Sequence, residues 1–391
     1  MKGLIFYNGQ LLERSGGPST YLYNLRIGFH MLGYHDISFF TQDNLNAVEK
    51  NVQRIFRDAL LKLGIFFPES ISTMYTNLRT RHKYTLIRRY NGEFDFVHFH
   101  KTADFIQSKE VSARIKILTT HSPVPPHLEI EDYIANKYGN IRLAKFFREA
   151  ERKIDEEAFI GADVLMFPSM ESLEGYFETW PEFQNIIKNK KILFVPSGSL
   201  PLKAKEKPNL VRKRYNIPDS AFVVSYVGRH HPIKGYDILQ EAAKYLWNRG
   251  IGIYFLIAGN QWPMKGLSDE RWIEVGWTED PGSYINSSDI FVLPNRITHF
   301  DLVLMEVLSL GKPIIASNAG GNKFVAKQSE GVILFQSGDY ISLAEKILEA
   351  YESRIHLEEL GDKNLQLYLS FYTPDKFALR YIQSLKELLG G

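Results

Sequence analysis

The stretch Tyr226-Val-Gly-Arg-His-His-Pro-Ile-Lys-Gly235 sets Arg229 and Lys234 five positions apart, directly after the apolar run Phe222-Val-Val-Ser-Tyr-Val227. A short, almost wholly apolar run predicts a strand covered on both faces, as parallel sheets require. Ligands of open α/β sheets bind outside the carboxyl ends of strands, so both cations fall where a ligand would sit. Gly228 permits a sharp turn, and Gly235 leads through Tyr236 and Asp237 into an apolar-periodic helix, whose N-terminus favours anions. Two fixed cations there suit a diphosphate. Ten residues alone leave a second reading open, a basic loop that merely opens a surface helix.

Outward from that stretch, short apolar segments alternate with helical patterns. They cover residues 4–7, 94–99, 116–119, 164–167 and 192–195 before it, and 253–257, 290–293 and 313–316 after it. Such alternation predicts parallel sheets with crossover helices. A length of 391 residues exceeds one ordinary core. The Pro-, Ser- and Lys-rich residues 196–208 lie between the two series and are the expected hinge. The expected fold class is therefore α/β, with two Rossmann-like domains facing each other across a cleft.

Bulk properties narrow the function classes. The net charge of +2, with no basic stripe interleaved with stacking aromatics, argues against a dedicated nucleic-acid binder. With no cysteine there is no disulfide, thiolate zinc site or cysteine nucleophile, which is compatible with a reducing cytoplasm. The opening Met1-Lys-Gly-Leu-Ile-Phe-Tyr7 is too short for the apolar core of a signal peptide, and no later run approaches the roughly 20 apolar residues of a membrane span. The expected location is cytoplasmic.

Further segments carry a family likeness. They are Ser288-Asp-Ile-Phe-Val-Leu-Pro294, Phe300-Asp-Leu-Val-Leu-Met-Glu306, Gly311-Lys-Pro-Ile-Ile-Ala-Ser317 and Gly320-Gly321. In the first half they are Gly16-Gly17, Asp95-Phe-Val-His-Phe-His100, Thr119-Thr-His121 and Val195-Pro-Ser-Gly198. Together these resemble the retaining glycosyltransferases of family 4, the glycosyl transferases group 1 with the GT-B fold. The resemblance implies an acceptor-binding domain over residues 1–200 and a nucleotide-sugar-binding domain over 208–372, with 373–391 packing back on the first. It also implies transfer of a hexose-type unit from a nucleotide diphosphate to a glycan or lipid-linked acceptor, in bacterial surface polysaccharide or glycoconjugate synthesis. No metal or other cofactor is implied, the nucleotide sugar being a co-substrate.

The resemblance assigns catalytic roles to Arg229, Lys234 and His121. Donor binding falls to Gly16, Gly17, Gly228, Arg229, Lys234, Thr298, Phe300, Asp301, Leu302, Val303 and Glu306, and no metal ligands are implied. A departing diphosphate gains negative charge in the transition state, which fixed cations stabilise. Glu306 lies within an otherwise apolar helical run, where an unpaired charge is costly, so a specific partner is expected: the donor ribose by family likeness, or a nearby Arg or Lys. The chain departs from the family at Thr298, where a glutamate is usual, and at Asp301, where a glycine is usual. Asp301 reads as an N-cap accepting from the free amides of the following helix, although a carboxylate there also repels a diphosphate.

The glycines before Ser19 and Thr20 read as a phosphate-approach loop with a hydroxyl helix cap, or as a plain turn. His121 is expected at the end of a strand over residues 115–120, its neutral imidazole able to bond a sugar hydroxyl. His98 and His100 alternate around Phe99 and so share one strand face. No carboxylate stands out as a covalent nucleophile, so family likeness implies front-face substitution in which the leaving phosphate helps deprotonate the acceptor. Base-reading contacts are expected near residues 259–262 and 274–277.

Residues 54–90 carry Arg54, Arg57, Lys62, Arg79, Arg81, Lys83, Arg88 and Arg89 against Asp58 and Glu69. This basic, apolar stretch predicts either peripheral contact with anionic lipid or an amphipathic helix pair with a solvated face. Two other classes stay open: a GT-B-like binding or assembly subunit without turnover, and another GT-B enzyme such as a nucleotide-sugar epimerase.

Overall fold

The computed structural model describes residues 1–13, 17–41, 69–71, 74, 93–108 and 111–390. The basic residues named between 54 and 90 lie outside the described residues, as does Gly16. The chain divides into two compact units, Met1–Pro196 with Ala378–Gly391, and Ser197–Phe377. The final helix, Pro374–Leu389, begins in the second unit and continues as part of the first. Among the described residues no helix is long and apolar enough to cross a membrane.

The first unit contains strands β1 (Gly3–Phe6), β2 (Ile37–Phe40), β3 (Phe94–Phe99), β4 (Ala113–Leu118), β5 (Val164–Phe167) and β6 (Lys191–Phe194). They pair in parallel in the order β2-β1-β3-β4-β5-β6. The middle of this sheet is buried on both faces: Leu4, Ile5, Phe6, Phe96, Val97, Phe99, Ile117 and Leu118 are almost wholly covered. Full burial explains why these strands read as continuous apolar runs rather than as alternating patterns. In the final helix, Tyr381 packs edge-on to Phe29 and Phe96 of the same unit.

The second unit contains β7 (Val223–Val227), β8 (Tyr254–Ala258), β9 (Trp272–Gly276), β10 (Ile290–Leu293), β11 (Ile314–Ser317) and β12 (Val332–Phe335). Their order is β12-β11-β10-β7-β8-β9, again all parallel. The helix Tyr236–Asn248 buries Ile238, Leu239, Ala242, Ala243 and Leu246 in one core with Val224, Tyr226, Ile257 and Ile290. That spacing is the apolar face of a 3.6-residue period, and each large side chain so buried contributes roughly 1.5–3 kcal/mol. Ser225, the polar residue inside β7, is satisfied by the Ser288 hydroxyl at 2.7 Å, which in turn donates to the Ile285 carbonyl.

Candidate functional site

In the second unit the strand order reverses between β7 and β10, and this is the place where doubly wound sheets open a crevice for ligands. Gly228, Arg229 and Lys234 follow β7; Thr298, Asp301 and Glu306 follow β10. Gly235 joins the two loops. Its φ is +67°, and a Cβ there would stand 1.8 Å from the Pro294 carbonyl oxygen, so only glycine lets the β7 loop rest on the end of β10. Gly320 has the same function beyond β11, with φ +45° and a Cβ position 1.8 Å from the Thr298 carbonyl oxygen.

This close approach sets Lys234 against the β10 loop. Its Nζ donates to both carboxylate oxygens of Asp301, at 3.1 and 2.8 Å, with both side chains about three-quarters covered. Asn295 also donates its amide to Asp301. Burial raises the Asp301 carboxyl pKa, but Lys234, Asn295 and Thr298 outweigh it and hold the group below its ordinary value, ionised at neutral pH. A second ion pair spans the same loops, in which the guanidinium fork of Arg296 grips Asp237 in the first turn of Tyr236–Asn248, with contacts of 2.6 and 2.5 Å. Burial raises the Asp237 carboxyl and the fork again outweighs it, leaving a net lowered value. Arg229 is exposed, held by its backbone carbonyl accepting from the Tyr226 hydroxyl at 2.7 Å, and no ion pair of its side chain occurs among the described residues.

One expectation needs correction here, the capping role of Asp301. Asp301 does occupy the N-cap position of the helix Leu302–Ser309, but its side chain accepts from no helix amide; it is turned to Lys234 and Asn295 instead. Charge explains the choice, since a lysine ammonium outcompetes neutral amides for a carboxylate. Phe300 is buried among Leu304, Phe324 and Tyr372, so its ring belongs to the core. Thr298 is buried as well, whereas Leu302, Val303 and Glu306 are partly covered. Glu274, in an expected base-reading segment, accepts from the Tyr236 hydroxyl at 2.5 Å and the Trp272 indole at 2.7 Å. Trp262 and Trp277, on the loops after β8 and β9, are exposed, at 60% and 66%.

Sequence reasoning missed Asn295, Arg296 and His230. The run Pro294-Asn-Arg directly after β10 could have signalled the first two, because polar residues at a strand's carboxyl end have no place in the sheet. His230 is fully buried, stacked on Tyr236 at 4.0 Å and 7°, with burial lowering its pKa to about 4.

In the first unit, Gly17, His100 and His121 lie beyond the carboxyl ends of the adjacent strands β1, β3 and β4. Gly17 opens the helix Gly17–Met31. Ser19 and Thr20 stand inside that helix rather than before it; their hydroxyls bond the loop backbone at Gln10 and Leu12 and fasten the helix to the chain leaving β1. β4 ends at Leu118, so His121 stands in the loop and not on the strand. Its Nε2 lies 2.9 Å from His100 Nδ1, and its ring meets Tyr21 edge-on at 4.8 Å.

Residues 221–353 match the family model described as Glycosyl transferases group 1. The UDP-Gal:alpha-D-GlcNAc-diphosphoundecaprenol alpha-1,3-galactosyltransferase of Escherichia coli is 28% identical over 179 residues, 42% of this chain and 46% of that protein. The O-antigen biosynthesis glycosyltransferase WclY of Escherichia coli is 25% identical over 44% of this chain and 48% of its own length. The chain thus spans about half the length of these curated relatives. Among solved structures, sucrose-phosphate synthase of Thermosynechococcus elongatus aligns over 100% of both chains with a TM-score of 0.68 at 17% identity. HepE of Anabaena, in complex with UDP and glucose, aligns over 99% of both with a TM-score of 0.60 at 12% identity. The fold, with its two parallel six-stranded sheets, is that of the GT-B glycosyltransferases, and residues 221–353 are similar to the group 1 glycosyl transferases.

Proposed function

We propose that this protein is a retaining glycosyltransferase of family 4 that moves a hexose-type unit from a nucleotide diphosphate to a glycan or lipid-linked acceptor in bacterial surface polysaccharide synthesis. The observation that carries the reading is the pair Arg229 and Lys234 at the end of β7, beside the strand-order reversal and inside the matched segment. Charge develops on the β-phosphate as the glycosidic bond breaks, and two cations on a fixed loop stabilise it without reorganisation. Glu306 takes the ribose hydroxyls, and the leaving phosphate accepts the acceptor's proton. The nucleotide sugar is a co-substrate and no metal takes part, so a chelator should leave turnover unchanged. The lipid-linked class of acceptor is supported by the name of the galactosyltransferase relative, which acts on a diphosphoundecaprenol-linked sugar. Work on such an acceptor fits a cytoplasmic protein held at the inner face of the membrane.

The test is a calorimetric screen of UDP, GDP, ADP, CMP and dTDP and their common sugars on wild type and Arg229→Ala. One diphosphate should bind selectively and lose its affinity in the variant, and the glycoside formed should keep the donor's anomeric configuration. One observation favours a second reading, a binding subunit without turnover: the ion pair of Lys234 with Asp301 neutralises one of the two cations. Nucleotide binding without any product from a panel of lipid-linked acceptors would favour it.

A further inference from the structure

Burial and hydrogen bonds fix where His98 and His100 of the first unit carry their protons, and His100 bonds His121 in turn. Thr119 donates its hydroxyl to the Met166 carbonyl at 2.8 Å, so its 2.8 Å contact with His98 Nε2 must be an N–H of His98 donating to it. His98 is fully buried, and burial lowers its pKa to about 3; a neutral imidazole has a single N–H. Its Nδ1 is therefore the acceptor for the Tyr381 hydroxyl at 2.8 Å. His100, 4.1 Å away ring to ring, is neutral too, because burial and the flanking imidazoles push its pKa well down.

His100 has one bonded nitrogen and one without a partner. Nδ1 lies 2.9 Å from His121 Nε2, while Nε2 is buried with no hydrogen-bond partner. Were His121 the donor, the only N–H of His100 would be that buried Nε2–H, with nothing to receive it. If His100 donates from Nδ1, what is left over is a bare lone pair, and orphaned buried N–H groups are the rarer and costlier case. We propose that His100 is a positioning residue for His121: donating from Nδ1–H, it makes His121 Nε2 an acceptor and fixes His121 as the tautomer carrying its proton on Nδ1.

The functional half of this rests on the glycosyl-transfer reading above. In that setting His121 acts as a neutral donor to a sugar oxygen, and neither nitrogen can take a hydroxyl proton without breaking the bond to His100. Among the described residues, the titratable and charged groups around the pair include Tyr21 on Gly17–Met31, His98 on β3 and Arg380 on the final helix, which acts on Tyr21.

Long-range proton–nitrogen spectra of the full chain with ¹⁵N-labelled histidine test the assignment, with His121 identified by the signals lost in His121→Gln. Wild type should show His121 protonated on Nδ1. His100→Asn, whose amide donates from the same place, should keep that pattern. His100→Asp offers only an acceptor, so His121 should switch to Nε2–H and titrate at a higher pH than in wild type. A wild-type His121 protonated on Nε2, or no switch in His100→Asp, overturns the proposal; if the Asp variant fails to fold, the wild-type and Asn spectra decide it. The expected tautomer together with no release of UDP from UDP-glucose or UDP-galactose by any acceptor would sustain the assignment of His100 and count against the transferase reading.

Discussion

Lys234 Nζ lies 2.8 Å from one oxygen of Asp301 and 3.1 Å from the other, so one of the two cations after β7 has a counter-anion within the protein. A diphosphate bound here must share Lys234 with that carboxylate. Asp301→Asn keeps an oxygen for Lys234 and removes the charge. Relief of a repulsion of about 1 kcal/mol should tighten nucleoside diphosphate binding roughly fivefold in calorimetry. Weaker binding would show instead that Asp301 is needed to hold Lys234 in position.

The two cations should respond differently to removal. Arg229 is exposed and has no ion-pair partner among the described residues, so Arg229→Ala should cost affinity by tenfold or so, as for a lost charge-assisted contact, and leave the urea midpoint unchanged. Lys234→Ala leaves the partly covered Asp301 with the neutral donors Asn295 and Thr298 and no counter-cation, which should cost about 1–3 kcal/mol of stability. The double variant Lys234→Ala/Asp301→Ala should recover part of that loss. A double variant no more stable than Lys234→Ala would argue that no stranded charge was involved.

Gly235→Ala tests the joint between the two loops. A methyl group there meets the Pro294 carbonyl and requires a left-handed backbone, so the variant should lose about 1–3 kcal/mol of stability. It should also weaken nucleotide binding, because Lys234 is the next residue. Normal affinity at reduced stability would separate the joint from the binding loop.

The interior of both sheets was legible in the sequence, and of the four edge strands only β6 was. The expected segments correspond to nine strands, and the three that escaped, β2, β9 and β12, all stand at sheet edges. Edge strands are covered incompletely: Ser38 is exposed, and Glu274 and Ile333 are only partly buried. Their composition therefore carries a weaker apolar signal than Val223–Val227. At the site, the glycines and cations of the β7 loop were readable because chain geometry and charge act locally. The partner of Asp301 was not, since a capping role is a local inference while Lys234 stands 67 residues away in sequence. The tautomer of His98 depends on Thr119, Met166 and Tyr381, and that of His100 on His121, which only the fold brings together.

Acid should weaken the first unit in a calculable sense. His98 has a folded-state pKa of about 3 against about 6.5 unfolded, and His100 is shifted the same way. Between those values the unfolded chain binds the proton and the folded chain does not. The stability due to neutral, bonded His98 is therefore complete above pH 6.5 and falls as the pH drops towards 3, by up to about 1.4 kcal/mol per pH unit for each such histidine. Thermal melts from pH 7.5 to 4.5 measure the slope. His98→Gln retains an amide donor for Thr119 and cannot titrate; it should melt lower at pH 7.5, having lost the acceptor for Tyr381, yet lose less on acidification. Parallel slopes for the two proteins would place the acid sensitivity elsewhere than at His98.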